Sequence, residues 1–210
     1  MLEEHTWRGV ASGEQPGWEW RARIIAKHIE PGERVFDFGA GNRKLARFIP
    51  PNCIYTPIDA VNEIPGTFVV DYNTHFALPE GGFSVAVCAG FLEYLEDVPN
   101  FFKNISASSP GSKIIFSYLF PEKSPPRKEM ILTNRYPSLN DILDVVSPYI
   151  SYARVVTGVN NTCIVKAVLG RDASDHALRN WSDLEPIDDI FLRTKKRFSI
   201  RRIFGLRTSR

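Results

Sequence analysis

The residues best able to do chemistry in this 210-residue chain are acids placed at the ends of short apolar runs. Asp37 stands in Val35-Phe36-Asp37-Phe38-Gly39-Ala40-Gly41, a buried-strand pattern running into a glycine turn. Glycines there let the backbone turn sharply and let a ligand come close. Asp59 follows 18 residues after Gly41, at the end of the run from Ile54 to Ile58, with Ala60 next. A carboxylate in that position can accept hydrogen bonds from both hydroxyls of a ribose. Asp71 ends a third run, Thr67 to Val70, beside Tyr72 and in reach of an adenine amino group. Three acids at three neighbouring strand ends describe a nucleoside pocket that welcomes positive charge and suits a phosphate poorly. The dinucleotide pattern G-x-G-x-x-G lacks its third glycine, where Lys44 stands, and no G-x-x-x-x-G-K-[ST] run occurs.

These residues need a scaffold, and the hydrophobic pattern supplies one. Residues 17–29 read as a helix with Trp20, Ile24 and His28 on one face, Ile25 and Ile29 beside it, and Pro31-Gly32 as the stop. Strands are expected at Arg34–Phe38, Ile54–Ile58, Thr67–Val70, Phe83–Cys88 and Lys113–Leu119. Helices are expected at Asn42–Ile49 (Leu45, Phe48 and Ile49 inward, Pro50-Pro51 after) and near Val98–Ala107. Continuous apolar strands separated by helices or crossover-length segments indicate a parallel α/β sheet covered on both faces. After residue 120 the rhythm changes. Pro121 to Arg135 reads as a loop or lid, and Ser138 can cap a helix through Ile150. Strands Ala153–Gly158 and Thr162–Leu169 then form a hairpin around Asn160-Asn161.

Composition narrows the class. At 43% hydrophobic and 24% charged, the chain is an ordinary globular sequence without a membrane span or a secretory signal pattern. Cys53, Cys88 and Cys163 form no C-x-x-C pair, and the four histidines (5, 28, 75 and 176) show no metal-ligand spacing. Neither a disulfide framework nor a metal site is expected, and a cytoplasmic setting is. The net charge of +2 hides an imbalance: Arg193 to Arg210 carries +8 in 18 residues, leaving −6 on the rest. We divide the chain into a domain over 1–169, whose first 30 residues are a helical cover, and an extension over 170–210 with a basic tail at 193–210. In the tail, Phe198, Ile200, Ile203, Phe204 and Leu206 interleave with the cations. Such a segment serves as a solubilising tail or docks on an anionic membrane surface or a protein partner, with nucleic acid the weaker alternative.

With these elements in place, the sequence resembles the class I S-adenosylmethionine-dependent methyltransferases over roughly residues 17–169. Val35 to Gly41 is similar to the family's first motif, V-L-D-L-G-x-G-x-G; Ile58-Asp59-Ala60 to its ribose-binding acidic turn; and Val70-Asp71-Tyr72 to its adenine-contacting turn. Phe83 to Leu95 is similar to the fourth motif, F-D-x-V-x-x-x-x-V-L-E-H-L, and Ser109-Pro110-Gly111-Ser112 to the L-x-P-G-G turn. The resemblance implies a single Rossmann-like α/β sheet of seven strands in the order 3-2-1-4-5-7-6, with strand 7 antiparallel. It also implies S-adenosylmethionine as cofactor, contacted by Asp37, Gly39, Ala40, Gly41, Asn42, Asp59, Ala60, Asp71, Tyr72, Ala89, Gly90 and Phe91.

Each residue has a plainer reading. Asp37 could serve only its own loop amides, Asp71 could be a turn acid, and Trp18 and Trp20 could be helix packing. Tyr94 is a packed aromatic or a substrate-facing group, Glu93 a helix N-terminal acid or a base, and His75 a surface residue. The expected reaction is displacement at a sulfonium methyl group by an oxygen nucleophile of a small or glycan-like acceptor, with Tyr94 or Glu93 as the catalytic group. Two departures support a rival reading. Arg43 replaces the first motif's third glycine and Tyr94 replaces the fourth motif's histidine, as in a catalytically degenerate binding module that docks through its tail.

Overall fold

The structure, a computed structural model, describes residues 16–119, 135–159 and 162–170. The Pro-rich segment before Arg135, the Asn160-Asn161 turn and the whole basic tail lie outside the described residues. One sheet organises the chain. Its strands are β1 (Arg34–Phe38), β2 (Ile54–Asp59), β3 (Phe68–Val69), β4 (Val85–Cys88), β5 (Lys113–Leu119), β6 (Ile150–Val159) and β7 (Thr162–Leu169). Their order is β3-β2-β1-β4-β5-β7-β6. The first five pair in parallel, whereas β7 runs antiparallel to both β5 and β6.

The central strands are apolar because both of their faces are covered. Val35, Val85 and Val87 pack on one side, and Phe36, Phe38, Ala86 and Cys88 on the other. Proline is tolerated in β2 for a specific reason. The Ile54 amide donates toward β1 and the Ile58 carbonyl accepts from Gly39, so even-numbered residues face β1. Pro57 faces the opposite side, before pairing with β3 begins at Ile58 and Phe68, and its missing N–H costs no ladder bond.

Among the described residues three helices flank the sheet: α1 (Pro16–Ala26), α2 (Val98–Ser108) and α3 (Leu139–Val146). Ile25, Ala22, Ala26 and Ile29 form the buried face of α1 and its exit, against Val35, Val85, Val87 and Ile164. The expected face of Trp20, Ile24 and His28 is therefore rotated to the flank, where all three are half-buried. The two alanines provide the close approach that a tryptophan cannot. On the opposite side, α2 buries Phe101, Phe102 and Ile105, and α3 buries Leu139, Ile142, Leu143 and Val146. Asp97 caps α2 by accepting from the Asn100 amide.

Ser138 caps α3 as expected, and Asp141 completes a capping box: the Ser138 hydroxyl accepts from the Asp141 amide, and the Asp141 carboxylate accepts from the Ser138 amide at 2.9 Å. Ser138→Ala is expected to cost about 1 kcal/mol, read as a lower urea midpoint at unchanged m-value. The helix stops at Val146, because Ser147–Tyr149 is a 3-10 turn containing Pro148 and Ile150 already belongs to β6. The expected helix at Asn42–Ile49 is also absent. A turn over Asn42–Lys44 leads into a 3-10 segment, Leu45–Arg47. Arg43 has φ 56, a left-handed conformation that breaks a right-handed helix, and Pro50-Pro51 leaves too few residues to restart one.

Candidate functional site

Strand order places the site. From β1 the chain moves to β2 on one side, while β4 lies on the other, so the carboxyl ends of β1 and β4 border a crevice. A cavity opens there. Asp37, Gly39, Ala40, Gly41 and Asn42 line it from the first loop, Asp59 and Ala60 from the end of β2, and Asp71 and Tyr72 from beyond β3. Ala89, Gly90, Phe91 and Tyr94 line it after β4. Thirteen of the fourteen residues singled out in the sequence thus share one cavity.

Backbone amides aim Asp59. Its Oδ2 accepts from the Gly41 amide at 2.8 Å and its Oδ1 from the Ala60 amide at 2.7 Å. Burial raises its pKa, while the amides of Gly41, Ala60 and Val61 oppose the rise. A carboxylate has about four acceptor sites, so Asp59 keeps capacity for a ligand hydroxyl. Asp37 is 3% exposed, and the Tyr55 hydroxyl donates to its Oδ2 at 2.6 Å. Burial pushes its carboxyl up to about 7, against the Tyr55 hydrogen bond and the Arg21 charge. Asp71 accepts from the Asn73 amide at 2.9 Å in an Asx turn, so its turn role and its place on the cavity coexist. The Tyr72 hydroxyl donates to the Ala77 carbonyl at 2.9 Å, and its ring packs in tilted and edge-to-face contacts among Phe38, Phe76, Phe91 and Phe101. Tyr72 therefore offers the cavity an apolar wall. Gly39 has to be glycine on two counts: its φ is +69, and a Cβ there would lie 3.0 Å from the Phe91 Cβ.

Helix α1 closes the crevice and contributes a group that the sequence reading missed. Trp18, Arg21, Ala22 and Ile25 line the cavity at helical spacing. The Arg21 guanidinium lies against Gly90, where a Cβ would come within 2.8 Å of both Nη atoms. Burial lowers its pKa, and the nearby charges of Glu93 and Asp37 oppose the loss of its proton. The available signal was a charged residue interrupting an otherwise apolar inward stripe. Two contacts join α1 to the segment that follows the glycine loop: Lys44 sits 5.3 Å from the Trp18 ring and Arg23 lies 4.4 Å over the Phe48 ring.

Glu93 is the exception among the expected residues. It is 3% exposed, lies outside the cavity lining, and its Oε2 has no hydrogen-bond partner. Burial pushes it up to about 7, with the Arg21 charge opposing. Its expected position as a substrate-facing base is thus replaced by one behind the cavity wall, because the 3-10 turn Leu92–Tyr94 directs it into the interior. Tyr94 faces the cavity, and its carbonyl accepts from Asn73 Nδ2 at 3.0 Å. Asn73, a second missed lining residue, also accepts from the Glu96 amide at 2.8 Å. His75 is exposed and beside Thr74, away from the cavity.

A family model described as a methyltransferase domain matches residues 16–152. The chain belongs to the class I S-adenosylmethionine-dependent methyltransferases. No protein of curated function matches the sequence. A methyltransferase from Aquifex aeolicus superposes with a TM-score of 0.58 at 14% identity, over 80% of this chain and 100% of that one. A candidate O-methyltransferase from Nostoc punctiforme also gives 0.58, at 16% identity, over 79% of this chain. The match spans 61% of the Nostoc protein. The N-methyltransferase NodS from Bradyrhizobium japonicum, solved with S-adenosylhomocysteine, gives 0.50 at 14% identity over 80% of this chain and 93% of that one. At these identities the likeness is one of fold. Of the methyltransferase's two departures from its family motifs, Arg43 does not line the cavity and Tyr94 does.

Proposed function

We propose that the protein transfers a methyl group from S-adenosylmethionine to an oxygen nucleophile of a small-molecule or glycan-like acceptor. The observation that supports the cofactor part of this reading is the order of groups along the crevice. Following the strands, Asp71 and Tyr72 come first, then Asp59, then Asp37, then Gly90 with the Arg21 guanidinium. This order suits an adenine, a ribose diol, an ammonium and a carboxylate in succession, so the donor set fits an amino-acid nucleoside. A pyrophosphate would fit badly. Its usual amide partner, Gly41 N–H, is already bound to Asp59, and the loop leads into a 3-10 segment with no α-helical N-terminus.

The bound cofactor would supply an activated sulfonium methyl group. The protein's own contribution is alignment and exclusion of water, for which α1 and Phe91 wall the cavity. Tyr94 is the group we assign to the acceptor, as a hydrogen-bond partner for its hydroxyl. Glu93 lies behind the wall, where its ionised form, reached above about 7, would face the Arg21 charge. Titration calorimetry with S-adenosylmethionine tests the cofactor assignment, and absence of heat at millimolar ligand would sink it. Labelled donor with a panel of hydroxyl, amine and thiol acceptors tests the nucleophile; transfer confined to amines would overturn the oxygen assignment.

Proton linkage gives a further prediction. An ammonium binds the carboxylate form of Asp37, whose carboxyl sits at about 7. Affinity for S-adenosylhomocysteine should therefore rise by up to about tenfold per pH unit below 7 and level off above it. The ligand-free protein should behave oppositely. Burial makes Asp37 and Glu93 both hold protons to about 7, well above the ordinary carboxylate range that they regain on unfolding. Stability therefore falls as pH rises through that window, and the ligand-induced increase in melting temperature should be larger at pH 8 than at pH 6. A pH-independent affinity would remove Asp37 from the ammonium site.

A further inference from the structure

Arg43 occupies the position where the family's first motif carries a third glycine, and its φ of 56 lies in the left-handed region that glycine adopts most easily. A non-glycine residue in this region is strained and is held there only by its surroundings. Its side chain shows what holds it. The Nη2 atom lies 2.8 Å from each of the Ile64 carbonyl, the Pro65 carbonyl and the Thr67 hydroxyl oxygen. Thr67 in turn donates to the Ile64 carbonyl at 2.8 Å. All three partners lie in the loop between β2 and β3, which starts right after Asp59 and ends at Thr67, just before β3 leads on to Val70 and Asp71. Arg43 itself stays off the cavity, while both of its neighbours, Asn42 and Lys44, line it.

We propose that Arg43 is a positioning residue for the nucleoside half of the cofactor. Its guanidinium clips the β2–β3 loop to the glycine loop and so sets the spacing between Gly41, Asp59 and Asp71. In place of the usual first helix, which this chain shortens to a 3-10 segment, the clip supplies the rigidity of the loop. The bulky cation at a glycine position is thus a compensation for the missing helix. It is no sign of a decayed site. The inference rests on the cofactor reading above.

The test is calorimetry with S-adenosylhomocysteine and with 5′-methylthioadenosine, which keeps the nucleoside and lacks the amino-acid group. Arg43→Gly restores the family's residue and relieves the backbone while removing the clip. Both ligands should bind about tenfold more weakly, by the same factor, as loss of a charge-assisted hydrogen bond implies. Amides of residues 60–67 should exchange faster in the same variant. Arg43→Lys, with its charge but without the fork, should recover part of the affinity. Thr67→Val removes one partner from the opposite side and should weaken both ligands in the same direction, which keeps the test decisive if the glycine variant does not fold. Affinities within twofold of wild type in the foldable variants would overturn the proposal. So would a loss confined to S-adenosylhomocysteine, which would place Arg43 at the amino-acid end. Failure of the wild-type protein to bind either ligand would instead overturn the cofactor reading, and this inference with it.

Discussion

Asp59→Ala is expected to weaken S-adenosylhomocysteine binding by about 100-fold or more, because two hydrogen bonds from ribose hydroxyls to a carboxylate are lost together. The effect should exceed that at Asp71, whose carboxylate already serves the Asn73 amide in a turn. Asp59 does two things at once. It would receive the ribose, and it holds the Gly41 and Ala60 amides at 2.8 and 2.7 Å. Alanine therefore also frees the glycine loop, and some loss of melting temperature should accompany the loss of affinity. Asp59→Asn separates the two roles, since the amide oxygen can still accept from a backbone N–H while the charge is gone. Calorimetry on both variants, with melting curves alongside, reads the difference. Wild-type affinity in Asp59→Ala would remove this residue from the ribose site.

Arg21 carries the second large effect. Arg21→Ala should reduce affinity for S-adenosylhomocysteine by about 10–100-fold through loss of a charge-assisted hydrogen bond to the ligand carboxylate. It should leave 5′-methylthioadenosine, which lacks that carboxylate, bound nearly as before. That contrast differs from the pattern expected at Arg43, where both ligands weaken by the same factor. Gly90→Ala is an independent route to the same result. A Cβ there would stand 2.8 Å from both Nη atoms of Arg21 and would require φ +75 of an alanine, so the guanidinium would be displaced at some cost in stability. Arg21→Ala also leaves Glu93 buried without its cation, with an Oε2 that already lacks a hydrogen-bond partner. Its carboxyl should then titrate above its present value of about 7, visible as a shifted pH dependence of melting. If Arg21→Ala weakened both ligands equally, the guanidinium would belong to the scaffold and not to the carboxylate.

Much of this architecture was legible along the chain because it depends on local pattern. Apolar runs of strand length, each closed by an acid, marked β1, β2 and β3, and their acids face one cavity because parallel strands all end on the same side. The terminal antiparallel pair followed from two strands with too little chain between them for a crossover. Ser138 was recognisable as a cap because capping chemistry spans only three residues.

Where the reading failed, the deciding contact lay far away in sequence. Along α1 the sequence marks Ile25 and Ile29 beside the Trp20 face, but that Ala22 and Ala26 complete the buried face, with Trp20 and Ile24 at its edge, depends on how closely the helix meets the sheet. The helix expected after the glycine loop fails at Arg43, whose left-handed backbone is held by partners 21 to 24 residues away. Glu93 and Tyr94 are neighbours in the chain, yet one turn sends the first behind the wall and the second onto it. By itself the sequence determined the order of elements, the glycine loop and the acids at the strand ends, since periodicity and turn chemistry act over a few residues. Only the tertiary structure decided that Arg21 enters the cavity against Gly90 and that Arg43 turns away to clip a loop, because a long cation takes its place from whichever distant backbone and charges the fold brings within reach.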